Sequence, residues 1–369
     1  MQSHADNTEI LRAVKRADFP GGLNQIEKWW VKHREWLQES GYTLRRRYQA
    51  DWTPSWKPGQ FYPFFEDGLT VTHVMDGTRS SDGLHVAIKQ IPVNDASDEV
   101  EVYQRMTSEP ISSDPRNRTA PLLDILQVPD GSGMRLLVMP LLRALDKPEF
   151  ETFGEAIAFF TQIFEAIQLM HEHRIAHRDC TYNNIMLDPS GMYPVPFHPR
   201  EIDRRRDWKG KVPHLTRTQR PPRYLLIDFG LSRIYPPAEG VVPLDLPIRG
   251  GDKTVPEHDN ETQRCNPFPV DVYYLGNLVR ERFILKYHGF AFMHPLVGDM
   301  VAVDPTKRPT MDEVVARFKK IRASLSSWKL RSRLVRKKDW AVVSLYKSFG
   351  HWYRRLGYIA TSKPAIPDA

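Results

Sequence analysis

Cysteine is nearly absent: the 369 residues hold only Cys180 and Cys265. A secreted chain of this length would ordinarily carry an even set of bridges, so a disulfide scaffold is excluded and a reducing compartment is expected. Long apolar runs are missing as well. No stretch approaches about eighteen uncharged apolar residues, which excludes a membrane-spanning helix. The opening residues, MQSHADNTEILRAVKRADF, hold no apolar core followed by a cleavage site, so no secretory signal is expected. The chain reads as intracellular, in the cytoplasm or the nucleus. Internal repeats of solenoid length and low-complexity tracts of domain size are also lacking.

What is present is enough to fold. Hydrophobic residues make up 41% and aromatics 11%, sufficient for one large two-lobed domain or two ordinary ones. Thirty prolines predict many irregular connections rather than a simple bundle or barrel. The net charge of +7 is unevenly spread. Residues 329–369 hold ten Lys/Arg against two Asp, a local +8, and 200–223 hold nine against three acids, a local +6. Such patches suit an acidic partner, although solvated or locally paired charge is the plainer expectation and no nucleic-acid partner is expected. All nine tryptophans lie before residue 60, in the basic stretch at Trp208, or after residue 327. Disordered segments are poor in aromatics, so these extensions are expected to pack as ordered parts.

Periodicity predicts a helix over 24–40, two strands over about 69–92 joined by a polar turn, and a helix over 94–108. Two apolar runs within 117–142 read as strands, and 150–173 as a long amphipathic helix. Further helices are expected near 271–285, 293–303 and 310–324. Strands first and helices after predict an α+β chain with a small β-rich part and a larger helical one.

Four short segments occur in fixed order: VAIK (Val86–Lys89), HRDCTYNN (His177–Asn184), LIDFG (Leu226–Gly230) and VPE (Val255–Glu257). Each alone is weak. Together they resemble the protein-kinase signature set, with LLVMPLL, DVYYLG and DPTKRPT in supporting positions over about 63–324. The resemblance implies a bilobal protein-kinase fold with a β-rich N-lobe at 63–142 and a helical C-lobe at 143–324. A Trp-rich helical extension (1–62), a basic insert (about 190–222) and a basic aromatic tail (325–369) flank or interrupt it. This layout looks like the divergent kinase-like proteins abundant in mushroom-forming fungi, in which insert and tail are family features.

The implied chemistry is ATP- and Mg²⁺-dependent phosphoryl transfer, in which positioning and charge neutralisation matter more than covalent steps. By that resemblance Lys89 contacts the α/β-phosphates and is held by Glu99, with Glu101 as the rival. Asp179 is the base beside the acceptor hydroxyl. Asn184 and Asp228 hold Mg²⁺ through hard oxygen atoms. Ala87 and Met186 flank the adenine, Met139 limits pocket depth, and the backbone from Pro140 through Leu141 to Leu142 faces the base. Arg178 implies a loop anion, with Asp245 or Asp252 as candidates, and Arg308 is expected to pair with Glu257. Cys180 reads as a packing residue rather than a reactive thiol, and the tail as docked on the domain rather than on membrane.

Three departures from the family pattern are visible. The stretch before Lys89, FFEDGLTVTHVMDG, has no GxGxxG; Thr181 stands where Ser/Thr kinases carry lysine; and IRGGDKT lacks the usual threonine near the acceptor. The leading expectation is a protein serine/threonine kinase. A pseudokinase scaffold and a small-molecule phosphotransferase of the aminoglycoside or choline kinase type remain open beside it.

Overall fold

The period-2 runs form strands and the cap-flanked runs form helices in a mixed α+β chain. The computed structural model describes residues 23–52, 73–93, 98–236 and 242–368, apart from the side chains of 341–347 and 349. Glu66, Asp67 and Gly68 of the expected phosphate lid lie outside the described residues, as do 1–22 and 53–62 of the extension. The chain divides into two compact units. One takes 1–95, 121–142 and 195–213, and the other takes 96–120, 143–194 and 214–369.

In the first unit, helices α1 (Gln25–Lys32) and α2 (Arg34–Glu39) precede strands β1 (Tyr42–Leu44), β2 (Val74–Arg79), β3 (His85–Pro92), β4 (Asp124–Gln127) and β5 (Met134–Pro140). The strands make one antiparallel sheet in the order β1-β2-β3-β5-β4. Alternation sends Val86 and Ile88 of β3 to one face and Ala87 and Lys89 to the other. Val86 and Ile88 join Met75, Leu136 and Val138 in a core closed by Trp30, Leu37, Tyr42, Leu44 and Tyr48. Each large side chain buried there stabilises by about 1.5–3 kcal/mol.

The extension therefore supplies the cover for one sheet face and also an edge strand, β1, which a purely helical reading did not include. Its anchor is a fully buried Arg47–Glu27 ion pair at 2.9 Å, with the Tyr48 hydroxyl donating to Glu27 at 3.1 Å. The expected single helix over 24–40 is interrupted at His33. The ring of His33 bonds the Trp29 carbonyl at 2.8 Å and the distant Asp130 at 2.9 Å, so tertiary bonding outweighs local periodicity.

The second unit holds α3 (Glu99–Thr107), β6 (Arg143–Ala144), α4 (Phe153–Glu172), β7 (Ile175–Ala176), β8 (Ile185–Leu187), β9 (Tyr224–Leu226) and β10 (Arg233–Ile234). It continues with α5 (Pro267–Val279), α6 (His294–Met300), α7 (Met311–Ser324), α8 (Ser327–Leu330) and α9 (Ala341–Ala360). Its strands form two small sheets, β6-β8-β9 and β7-β10. Helix α4 starts where Thr152 accepts the Glu155 N–H at 3.1 Å. It is amphipathic as expected, with a narrow polar stripe of Thr161, Glu165, Gln168 and Glu172 opposite a wide buried face on which Phe160 and Phe164 pack against Phe283 and Phe318, at 4.7 and 5.2 Å.

The basic insert is bonded partly within itself and partly to the rest of its own unit. His198 Nδ1 accepts the backbone N–H of Glu201 at 3.1 Å, and its ring lies 4.3 Å from Trp208. Further along, Arg217 is buried in the second unit and donates to the carbonyls of Leu145 and Pro148, each at 2.6 Å.

Candidate functional site

The loop from His177 to Asn184 connects β7 to β8, and its shape is set from below by one carboxylate. Asp271, fully buried on α5, accepts the backbone N–H groups of His177 at 2.8 Å and Arg178 at 2.7 Å. His171 Nε2 bonds the same carboxylate at 3.0 Å. These bonds hold Arg178 at φ 65°, a left-handed conformation that costs a non-glycine residue about 1 kcal/mol or more. Cys180 is buried with its sulfur 3.5 Å from the Asp271 carbonyl oxygen, and burial pushes its thiol pKa well up. The protonated thiol packs and is no nucleophile.

Asp179 projects from this loop. Asn184 Nδ2 donates to the Asp179 carbonyl oxygen at 2.9 Å and to its Oδ2 at 2.8 Å, and the Gly251 N–H donates to Oδ1 at 2.7 Å. Burial pushes the Asp179 carboxyl above the usual aspartate value. The Gly251 and Asn184 bonds pull it down, and nearby Asp228 adds a further upward push. Gly250 is required by close approach. A Cβ there would lie 2.5 Å from Asp179 Oδ1 and 2.6 Å from the Tyr274 hydroxyl. The 250–254 segment is pinned in turn by Tyr273, whose hydroxyl donates to the Thr254 carbonyl at 2.8 Å, and by an Asn277–Asp252 hydrogen bond.

Asp228 follows β9, where the Ile227 N–H donates to the Asn184 carbonyl at 3.0 Å. It too is left-handed, at φ 61°. Phe229 is fully buried and meets Tyr103 of α3 edge-on at 4.7 Å. Gly230 lies where Asp228 Oδ1 and Glu99 Oε2 converge, at 3.3 and 3.5 Å from its virtual Cβ. Glu99 is buried with Val102, Tyr103 and Met106 on one face of α3, whereas Glu101 is exposed. Met186 lies half-buried on β8 opposite Leu225 of β9.

Arg178 carries the loop's second anchor. Its guanidinium donates to Asp245 at 2.9 Å and to the Leu246 carbonyl at 2.7 Å, and the Tyr235 hydroxyl reaches Asp245 at 3.1 Å. Burial alone would raise Asp245, but the Arg178 charge and these hydrogen bonds hold its carboxyl below the usual range. Of the two candidate anions, Asp245 is the one bonded to Arg178, while Asp252 caps Thr254 at 2.9 Å. Arg308 makes a two-pronged pair with Glu257, at 2.7 and 2.9 Å.

The remaining sequence-predicted residues belong to the first unit. Ala87 and Lys89 share a face of β3, opposite Met139 and Leu137 of β5 in register. The Leu141 N–H donates to the His85 carbonyl at 2.9 Å. Asp76 of β2 stands opposite Ala87 and therefore faces the same side. It is buried and bonded by Arg45 at 2.7 Å and by Arg206 of the insert at 3.0 Å. Burial lowers the His85 imidazole, and Arg206 lowers it further.

Within the second unit, then, Asn184 is hydrogen-bonded to Asp179, Asp228 lies close enough to raise the Asp179 carboxyl, and the Asp228 and Glu99 carboxylates converge at Gly230. Sequence reasoning missed Asp271, whose DVYYLG setting was the available signal, and the role of the Gly250–Gly251 pair. It also missed Asp76, for which no local signal exists. Among the described residues no cluster of three or more His, Cys, Asp or Glu side chains could hold a metal by itself. With Asn184 Nδ2 taken up by Asp179, the oxygen atoms that could serve a metal are Asn184 Oδ1 and the Asp228 carboxylate. Such a set fits Mg²⁺ shared with phosphates, which needs few protein ligands. No family model matches the chain, and no curated protein matches it at a significant level.

Proposed function

We propose that the chain is an ATP- and Mg²⁺-dependent phosphotransferase of bilobal protein-kinase architecture, acting on serine or threonine hydroxyls of a protein. The observation that carries the reading is the bonding of Asp179 to Asn184, on a loop tied to the strand that delivers Asp228. A carboxylate raised by burial and steadied by an amide suits a base that orients a hydroxyl proton. Asn184 Oδ1 and the Asp228 carboxylate would hold the metal, which supplies neutralisation of phosphate charge. Lys89 is assigned to the phosphates and Ala87, Met139, Leu141 and Met186 to the base. Arg178, already neutralised by Asp245, needs no phosphorylated residue in this reading.

The test is transfer of labelled phosphate by wild type and Asp179→Asn, with a thermal-shift titration of Mg·ATP on wild type and Asp228→Ala. Loss of a carboxylate base is expected to lower transfer by about 100-fold or more. Equal transfer by both proteins overturns the reading.

One observation favours a second reading, a pseudokinase scaffold. The Gly250–Gly251 backbone lies on the Asp179 carboxylate, occupying space an acceptor hydroxyl needs. That reading predicts no turnover from wild type and a Mg·ATP shift that is weak or absent.

A further inference from the structure

Over residues 351–359, helix α9 is docked with its chemistry reversed. Surface helices ordinarily turn apolar residues inward. Here Trp352, Tyr353, Leu356 and Ile359 are 45%, 83%, 60% and 48% exposed, whereas His351 and Arg355 are each 4% exposed. The spacing of 352, 356 and 359 places them on one helical face.

The orientation is fixed by the inward side. Arg355 lies 3.7 Å from the Trp328 ring and donates to the Trp328 carbonyl at 3.3 Å. His351 Nε2 bonds the Arg331 carbonyl at 3.0 Å, Tyr358 bonds Thr216 at 2.8 Å, and Arg354 bonds Glu151 at 3.0 Å. Turning the apolar face inward would break all of these. Trp328, itself exposed, meets Trp352 edge-on at 5.7 Å and widens the patch. Exposed Trp340 precedes the helix, with exposed Lys337 and Lys338 just before it.

We propose that this face of α9, with Trp328 and Trp340, lies on the surface of an anionic phospholipid bilayer. The composition fits: tryptophan and tyrosine favour the headgroup boundary, where one end of the ring is dry and the other wet. Charge fits as well. Residues 329–369 carry a net +8, which attracts an anionic surface and opposes a second copy of the same tail. No helix among the described residues is long and apolar enough to cross a membrane, so the helix lies along the surface instead.

The test uses the full chain in co-sedimentation with vesicles of phosphatidylcholine alone and of phosphatidylcholine with phosphatidylserine. Wild type is expected to sediment with the anionic vesicles and to be released by salt. The triple variant Trp352→Ser/Tyr353→Ser/Leu356→Ser, altered only at exposed positions, is expected to lose about tenfold or more in partition. Lys337→Glu/Lys338→Glu is expected to lose severalfold. Thermal midpoints matching wild type keep these losses separate from unfolding, and quenching of wild-type tryptophan by brominated acyl chains gives an independent reading of insertion. Wild-type sedimentation that ignores phosphatidylserine overturns the proposal, as does a triple variant that binds like wild type. A wild-type dimer in light scattering that the triple variant converts to monomer overturns it in favour of self-association.

Discussion

The His177–Asn184 loop of the second unit and the Ala87 face of the first unit carry the two halves of the proposed chemistry, and they are built in opposite ways. Around the loop the named side chains are tied by hydrogen bonds: Asp271 to two backbone N–H groups, Arg178 to Asp245, Asn184 to Asp179. Two left-handed residues, Arg178 and Asp228, are held in place by that bonding. On the Ala87 face, a buried aspartate is held by two arginines, one drawn from the insert. The loop is thus organised around the buried Asp271, while the sheet face is organised around the chain's own insert.

The comparison can be pressed at several points. The largest effect is expected at Glu257→Ala, which strands the buried Arg308 guanidinium and should lower unfolding free energy by about 3–5 kcal/mol in denaturant titration. Asp245→Asn leaves Arg178 with the Leu246 carbonyl and should lower stability by about 2 kcal/mol. Because the folded Asp245 carboxyl is held below its ordinary value of 3.8, the stability it adds is present above that value. The penalty in the variant should therefore be complete at neutral pH and fade as pH falls through the folded value. Melting curves of both proteins against pH check this.

Gly250→Ala should push the 250–251 backbone off Asp179. Losing the Gly251 N–H removes an interaction that favours the ionised form, so the Asp179 carboxyl should titrate at still higher pH, read from its carboxyl-carbon resonance. An unmoved titration would mean the segment is not coupled to the base. The smallest effect belongs to Arg206→Ala. Stability should change by about 1 kcal/mol or less, since Asp76 keeps Arg45. The His85 imidazole should titrate at higher pH once the neighbouring guanidinium is gone. An unshifted His85 would place the insert elsewhere in solution and weaken the contrast between the two regions.

Much of the framework was legible in sequence because local signals and tertiary packing agree there. The β-rich pattern gave β3 with Lys89 on it; the family's spacing of Val102, Tyr103 and Met106 picked the buried Glu99 over the exposed Glu101; the resemblance to HRDxxxxN joined Asp179 to Asn184. What escaped was settled between residues far apart. Arg206 lies 130 positions from Asp76, and the interruption at His33 depends on Asp130, 97 positions away. Periodicity also reports that a helix has a face without reporting which way it points. Helix α4 turns its wide apolar face inward as its spacing suggests, whereas over 351–359 of α9 the inward residues include His351 and Arg355.

The C-terminal residues have a consequence for handling the protein. The carbonyl of Ala365 lies so near Gly154 that an added Cβ would come within 1.8 Å of it, and Arg331 donates to the Lys363 carbonyl at 2.5 Å. Lys329 covers the Phe153 ring at 3.6 Å. The final residues are therefore a plug seated in the first turn of the central helix. Trimming an expression clone back to residue 324 would pull that plug and uncover aromatic surface. A fragment for assay should keep residues 329–365.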